Sequence, residues 1–266
     1  MSIRIRIKPK TEYDTSEFTK NVGTAKVLFG RIFVLSVFVG SPASPWSPYD
    51  IERTKQKVFE AENWLRAQVM RYGKNVVFIN SAFGSDGSYL DHEMPHRYDS
   101  DEKKYRYPSQ VLLKMGFRTK NEFIRWVRTN MGCDQCLGII FSNTTGRSYA
   151  SPVNTELFEY DPSEYNLECC FLYRYHEDTV IETNAAAIAH EMLHLFGAWD
   201  LYELDEHDRD RAAKTQIMFP KSIMLDTHRD IWETQLDEIN AWLVGLKEGQ
   251  DWYRWFEPYQ DNYECE

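Results

Sequence analysis

Apolar residues in the first third of the chain follow two different spacings. Val27–Val39 is almost continuously apolar, interrupted by Gly30 and Arg31, and Asn75–Asn80 is a second apolar run. Both are typical of buried strands. Between them, Ile51–Tyr72 carries apolar residues at helical spacing. The order strand, helix, strand predicts a parallel pair of strands joined by a right-handed crossover.

The middle of the chain predicts further helix and strand. Ala82–Pro108 is polar and rich in tyrosine, so we expect a surface excursion there. Thr119–Asn130 begins with a capping-box pattern and carries an aromatic stripe, which predicts a helix. Leu137–Phe141 and Cys169–Tyr175 predict short strands. Gly146–Val153 alternates in polarity and contains a proline, which favours the edge of a sheet.

The two ends of the chain and its last quarter are more polar. Leu201–Phe219 is charged and predicts a loop, whereas Asp230–Leu246 has one apolar face and predicts a helix. We expect the aromatic, acidic tail Gly249–Glu266 to dock on the body. Met1–Lys10 predicts an edge strand or an arm, and it lacks the apolar core of a secretory signal. We therefore expect a cytoplasmic protein, or one exported without a cleavable signal peptide.

Composition narrows the class of protein. Of the 266 residues, 42% are hydrophobic and 15% aromatic, which is enough for a sizeable core and excludes a disordered or fibrous chain. The formal net charge is −10, from 41 acidic and 31 basic residues, with no long basic block. Nucleic acid and anionic membranes are therefore not expected as partners.

The cysteines predict thiols rather than disulfides. There are five, an odd number, which fits a reducing compartment. Cys133 and Cys136, or the adjacent Cys169 and Cys170, offer sulfur ligands for a second zinc. Neither pair has a well-spaced partner pair, so buried free thiols are the favoured interpretation.

One motif in the chain indicates a specific chemistry. His190, Glu191 and His194 spell His-Glu-x-x-His, and residues four apart lie on the same face of a helix. Two neutral imidazoles placed in this way can bind one Zn²⁺, and a catalytic zinc takes a third protein ligand and a water. Gly197 falls where a helix ends in a left-handed residue, which would let Asp200 return as that third ligand.

The motif lies on a convincing helix. Thr183 or Asn184 can cap its start, and a run of alanines favours helix and close packing. An apolar surface for burial is supplied by Ile188, Met192, Leu195 and Phe196.

The segment His190–Asp200, with the pattern His-Glu-x-x-His-x-x-Gly-x-x-Asp, resembles the extended zinc motif of the metzincin metallopeptidases. It matches the variant in which aspartate is the third ligand, as in snapalysin-like members. Ser222–Met224 similarly resembles the Met-turn, which places a methionine, here Met224, beneath the metal. Many metzincins carry a tyrosine two places after that methionine, and it assists the transition state. Here the residue at that place is Asp226, so we assign no residue to this role.

The resemblance implies a fold and a division of the chain. We expect an α+β fold with an α/β-like N-terminal lobe, a twisted mixed sheet with an edge strand over the cleft, and an active-site helix. A single catalytic domain, 1–266, would consist of an N-terminal lobe, 1–197, with the zinc helix, and a small, mostly irregular C-terminal lobe, 198–266. The second lobe would hold the Met-turn and a terminal helix. The edge strand would pair with an extended substrate, with Arg147 or Tyr149 bordering the cleft.

The implied activity is that of a zinc-dependent endopeptidase. Zn²⁺ would be held by His190, His194 and Asp200, with Glu191 as the general base and a protein or peptide as substrate. Gly197 and Met224 would support the site structurally.

Three alternatives remain open. In a gluzincin-type site the third ligand is a glutamate on a later helix, and Glu233-x-x-x-Asp237 has that family's spacing. A zinc amidase acting on cell-wall peptide can use the same groups. A non-catalytic zinc-binding protein would keep the ligands, although the presence of Glu191 argues against it.

A second His-Glu-x-x-His pattern occurs at His92–His96. Pro95 would remove a hydrogen bond inside such a helix, and the flanking residues are polar. We interpret this copy as a loop.

Overall fold

The computed structural model describes most of the chain. The described residues are 23–85, 90–91, 93–152, 167–202 and 208–257. The predicted arm Met1–Lys10, His92 of the second motif and the last residues of the acidic tail lie outside them.

The strands in these ranges form one mixed sheet. Its order is β2-β1-β4-β6-β5, and β3 also pairs with β1. All neighbours are parallel except β5 and β6, which are antiparallel. A mixed sheet with helices confirms the predicted α+β class. The strands are β1 Gly30–Gly40, β2 Val76–Phe83, β3 Leu90–Asp91, β4 Gln135–Gly146, β5 Tyr149–Ser151 and β6 Cys169–His176.

Helices cover both faces of the sheet. Residues of α1 and α4 share one hydrophobic cluster, and residues of α2 and α3 share another. Short 3₁₀ turns occur at Ile231–Glu233 and Asp251–Phe256, and a wide turn, Val127–Met131, follows α3. The helices are α1 Pro48–Arg71, α2 Asp101–Lys114, α3 Lys120–Trp126, α4 Ala185–Phe196, α5 Arg209–Met218 and α6 Glu238–Leu243.

The position of strand β1 inside the sheet explains why its sequence is continuously apolar. Ile32 and Val34 belong to the cluster under α1 and α4, while Phe33 and Leu35 belong to the cluster on the opposite face. Successive side chains point to opposite faces, so a strand covered on both faces needs apolar residues throughout. Burial on both faces was also predicted for β2, and that prediction is wrong. Because β2 lies at the edge of the described sheet, its residues alternate between buried and more exposed positions, and Val77 is 40% exposed.

Two helices lie where the sequence predicted none. Helix α2 occupies part of the expected surface excursion, and its side towards the sheet buries Tyr107 and Val111. Helix α5 occupies part of the charged segment predicted as a loop. It buries Arg211, which pairs with Asp208 at 2.8 Å, together with alanine and threonine. Because these buried residues are not strongly apolar, the hydrophobic period that reveals a helix is missing.

The single helix predicted over Asp230–Leu246 is also wrong. Thr234 has an extended backbone conformation. The Gln235 N–H donates to the Lys221 carbonyl, and the Gln235 carbonyl accepts the Ile223 N–H. The Asp237 side chain then accepts a hydrogen bond from the Asn240 N–H at 2.9 Å and starts α6 anew. Pairing with the segment around Ile223 therefore interrupts the helix.

The C-terminal residues complete the core beneath the sheet. Tyr253 and Phe256 are fully buried, in the same cluster as Ile32 of β1 and Leu195 of α4. Residues on both sides of position 197 thus share one hydrophobic cluster. Among the described residues, no helix has both the length and the apolar content needed to cross a bilayer.

We expect Phe256→Ala to lower the free energy of unfolding by about 3–5 kcal/mol, because a large buried ring leaves a cavity. Trp255→Ala is the matched control, since the neighbouring ring is 48% exposed; its expected cost is about 1 kcal/mol or less. Denaturant titrations of the two variants measure the difference. Equal costs would contradict the docking of this segment into the core.

Candidate metal centre

Helix α4 is fixed at both ends. Oδ1 of Asn184 accepts a hydrogen bond from the Ala187 N–H at 2.8 Å, and its Nδ2 donates to the Thr227 carbonyl at 2.9 Å. At the other end Gly197 has φ 105°, a conformation that is strained for any residue with a Cβ atom. The predicted helix start and the predicted role of Gly197 as its end are both confirmed.

The turn after Gly197 brings Asp200 back to the two imidazoles. Oδ1 of Asp200 lies 3.2 Å from Nε2 of His190 and 3.1 Å from Nε2 of His194. The two Nε2 atoms are themselves 3.1 Å apart. The structure therefore places all three predicted ligand atoms in one cluster, and this group can hold a metal ion.

Backbone carbonyls set the orientation of both rings. Nδ1 of His190 lies 3.1 Å from the Ile223 carbonyl oxygen, and Nδ1 of His194 lies 2.8 Å from the Ala198 carbonyl oxygen. A carbonyl can only accept, so each neutral ring carries its proton on Nδ1 and leaves a lone pair on Nε2. Three lone-pair atoms facing one another at these distances fit a bound cation.

The Asp200 carboxylate has the electrostatics of a ligand. Its Oδ1 is buried and receives no hydrogen bond from the described residues. Burial alone would raise the pKa of this carboxyl, but the two neighbouring imidazoles hold it well below its ordinary value. Asp200 is therefore an anion whose buried oxygen faces both imidazoles.

Glu191 borders the same space from inside α4. Its side chain lines a cavity of about 390 Å³ together with His190. Burial raises the pKa of Glu191, and the two histidines act in the opposite direction. A carboxyl whose pKa is raised towards neutrality suits proton transfer.

Met224 lies fully buried close to the centre. Its carbonyl accepts the N–H of Leu201, next to Asp200 in the chain, at 2.9 Å. Its own N–H donates to Oγ of Ser222 at 3.1 Å. The turn predicted at Ser222–Met224 is thus bonded to the loop that carries the third ligand.

A buried polar network joins this turn to that loop. Asp237 accepts hydrogen bonds from Oγ of Ser222 at 2.7 Å and from Nδ2 of Asn240 at 2.9 Å. Oδ1 of Asn240 in turn accepts the N–H of Trp199, directly before Asp200, at 2.7 Å. Sequence reasoning considered Asp237 only for its spacing from Glu233. In the structure Asp237 is an internal support, and Glu233 is exposed and outside the metal-ligand group.

Tyr202 is a site residue that the sequence analysis missed. Its ring lies 6.3 Å from that of His190, nearly parallel to it, and it lines the cavity. Burial and the charge of Asp200, to which it is hydrogen-bonded, raise the pKa of its hydroxyl, so it remains protonated. The sequence feature that could have indicated Tyr202 is its position two residues after Asp200, a predicted ligand.

The expected border of the cleft is present in part. Strand β5 lies at one border of the described sheet. Arg147 and the stretch Leu225–His228 line the cavity. Tyr149 does not, because its ring is buried and its hydroxyl donates to the Pro95 carbonyl at 2.8 Å.

The other candidate motifs hold no metal group in the described part of the chain. Cys133, Cys136, Cys169 and Cys170 are buried free thiols, as expected. Burial raises the pKa of Cys136 and of Cys169 to about 12, so both stay protonated. The described part of the second His-Glu-x-x-His motif is a loop, also as expected.

No protein-family model matches the chain, and comparison with curated proteins finds no matching sequence.

In the metal-free protein we expect His194 to make stability depend on pH. Burial lowers the pKa of this ring, but the Asp200 carboxylate outweighs it and raises the pKa to about 9, against about 6.5 in the unfolded chain. The stabilisation is complete below about pH 6.5 and is lost as pH rises through about 9.

Melting temperatures of chelator-treated protein across this range test the expectation. The decline in melting temperature should be weaker in His194→Gln, which has no imidazole at this position. It should also be weaker in metal-loaded protein, where the metal replaces the proton between His194 and Asp200. A wild-type curve that rises with pH would contradict the arrangement.

We expect Asn240→Ala to lower metal affinity about 10- to 100-fold, because supports behind the ligands commonly contribute this much and Trp199 would lose its hydrogen-bond acceptor. Competition with a chromogenic chelator measures the affinity. Asn130→Ala is the control, since that amide is exposed and bonds only within its own turn. Unchanged affinity in a folded Asn240→Ala variant would show that the network does not position the ligand loop.

Proposed function

We propose that this protein is a zinc-dependent endopeptidase. The observation that carries the proposal is the convergence of His190, His194 and Asp200 beside Glu191 at the wall of an open cavity. The resemblance of His190–Asp200 to the metzincin motif agrees with it. That resemblance rests on the motif and the turn at Met224.

The donor set favours zinc. Two imidazoles and one carboxylate are common ligands of catalytic Zn²⁺, at about 2.0–2.2 Å from the ion. Tetrahedral ligands at that radius are about 3.3 Å from one another. The observed separations of 3.1 and 3.2 Å among the three atoms are close to this value. A fourth position would face the cavity.

Each side chain has a distinct part in hydrolysis. A zinc ion held here would supply the Lewis acid that activates water and polarises a carbonyl. Glu191 accepts the proton of the attacking water and returns it to the leaving amine. The protonated hydroxyl of Tyr202 is hydrogen-bonded to Asp200; when it turns away from Asp200, it can donate a hydrogen bond to the oxygen on which negative charge develops. This tyrosine fills the role that Asp226 cannot.

The cleft suits an extended peptide. Strand β5 pairs with β6 on one side only within the described sheet. The other side of such a strand offers N–H and C=O groups to a peptide backbone. Side chains of the substrate would then alternate between the cavity and solvent. A peptide bond held over Glu191 is the expected target.

Glu191→Gln should retain zinc but lose about 100-fold or more of kcat/KM, because general acid–base catalysis contributes at least this much. His190→Ala should lose both zinc and activity. Zinc content by mass spectrometry and release of fluorescence from labelled, denatured casein measure the two properties. The control is Glu52→Gln, an exposed carboxylate on α1.

The outcomes separate the alternatives. Chelator-sensitive casein cleavage supports the endopeptidase. Zinc binding with no cleavage of any peptide would favour a binding protein, and cleavage of cell-wall peptide alone would favour an amidase. Full activity in Glu191→Gln would refute the assigned base.

A further inference from the structure

Two arginine side chains line the cavity that the candidate metal centre also borders. Arg97 and Arg147 border the same space as Glu191 and Tyr202. Arg97 lies near enough for its charge to lower the pKa of both of those residues, against the effect of burial. Arg147 also interacts electrostatically with Tyr202. Both guanidinium groups are therefore close to where a substrate would react.

The segment carrying Arg97 is held firmly against the sheet. The Pro95 carbonyl accepts the hydroxyl of Tyr149 at 2.8 Å and that of Tyr173 at 3.3 Å. On the other side, the His96 N–H donates to Oδ2 of Asp99 at 2.8 Å. The described part of the second His-Glu-x-x-His motif therefore anchors the backbone next to Arg97, the residue of this segment that lines the cavity.

Arg147 is attached to the same wall of the cavity. It lies between strands β4 and β5, and its guanidinium group hydrogen-bonds to the hydroxyl of Tyr98. Tyr98 follows Arg97 in the chain, so the two arginines belong to neighbouring parts of one surface. Because the backbone next to Arg97 is already anchored, binding an anion there costs little further ordering of this segment.

Among the described residues, no ion pair neutralises the positive charge on this wall, although Glu177 interacts electrostatically with Arg147. Two acidic residues that line the cavity are paired with other cations: Glu182 with Arg53 and Arg174, and Asp226 with Arg229. The third described acidic residue of the lining, Glu191, interacts electrostatically with Arg97 without forming an ion pair. In the described ranges neither Arg97 nor Arg147 takes part in an ion pair. Two cations without an ion-pair partner among the described residues thus border the cavity of a chain whose formal charge is −10.

We infer that Arg97 and Arg147 form a carboxylate-binding subsite, which selects peptides with a negative charge close to the bond that is cleaved. This inference rests on the proposed peptidase function and names its substrate class. A planar guanidinium group matches a carboxylate with two parallel hydrogen bonds. Such bonds gain strength in a cleft from which water is partly excluded. The carboxylate can come from an aspartate or glutamate side chain or from a peptide C-terminus.

The test compares zinc-loaded full-length protein on matched fluorogenic peptides. One set places glutamate or glutamine at each position on either side of the cleaved bond. A second set carries a free or an amidated C-terminus. We expect a glutamate peptide, or the free-terminus peptide, to be cleaved with about tenfold or higher kcat/KM than its neutral partner, as for one charge-assisted hydrogen bond. The set that shows the difference identifies the source of the carboxylate.

Variants assign the preference to the wall. Arg97→Gln and Arg147→Gln should each reduce the charged-to-neutral ratio several-fold, with the neutral peptide much less affected. Arg125→Gln is the control, because this exposed arginine on α3 lies outside the cavity and its loss changes the net charge equally. Equal cleavage of charged and neutral peptides by wild type, or a preference that both cavity variants retain, would overturn the subsite.

A binding measurement separates this inference from the proposed function. Fluorescence anisotropy with zinc-loaded Glu191→Gln measures affinity for the same peptides without turnover. If wild type cleaves peptides with no charge preference, the subsite fails and the peptidase stands. If nothing is cleaved but the charged peptide binds more tightly through Arg97, the peptidase fails and the subsite stands.

Discussion

Two hydrogen bonds from imidazole to backbone determine the rest of the site. They fix the tautomer of His190 and His194 and aim both lone pairs at one point. One acceptor carbonyl belongs to Ile223, before Met224, and the other to Ala198, before Asp200. The candidate metal centre therefore depends on two chain segments that meet at α4, and the buried network of Asp237 and Asn240 holds those segments together. A helix with the same motif but without these carbonyls would present two freely rotating rings.

The local features of the site could be predicted from the sequence, and its supports could not. Helix α4, its cap and its end at Gly197 follow from helical spacing, a capping side chain and a residue without Cβ. The approach of Asp200 also follows once that turn is assumed. The role of Asn240 has no local sequence signal, because this residue supports the site through a hydrogen bond to Trp199, 41 positions earlier. Tyr202 was missed for another reason: its ring meets His190 only after the chain has turned.

The same distinction applies to the fold. Strands β1, β4 and β6 are covered on both faces, so their continuous apolar runs predict them. Helix α5 buries charged and small residues, so periodicity could not detect it, and the predicted helix over Asp230–Leu246 was interrupted by pairing that no local pattern records. The two His-Glu-x-x-His motifs show how context decides the outcome. One lies on a buried helix, whereas the described part of the other is a loop whose Pro95 carbonyl is bonded to Tyr149 and Tyr173.

The hydrogen bond between Trp199 and Asn240 also governs the order in which the site can assemble during synthesis. The ribosome completes α4, with both imidazoles, well before it adds Asn240, and only then can the loop carrying Asp200 be anchored. Until then a nascent chain holds all three candidate ligands, but Asp200 lies on a loop that is not yet anchored. The geometry of the cluster is therefore completed only after translation has passed position 240.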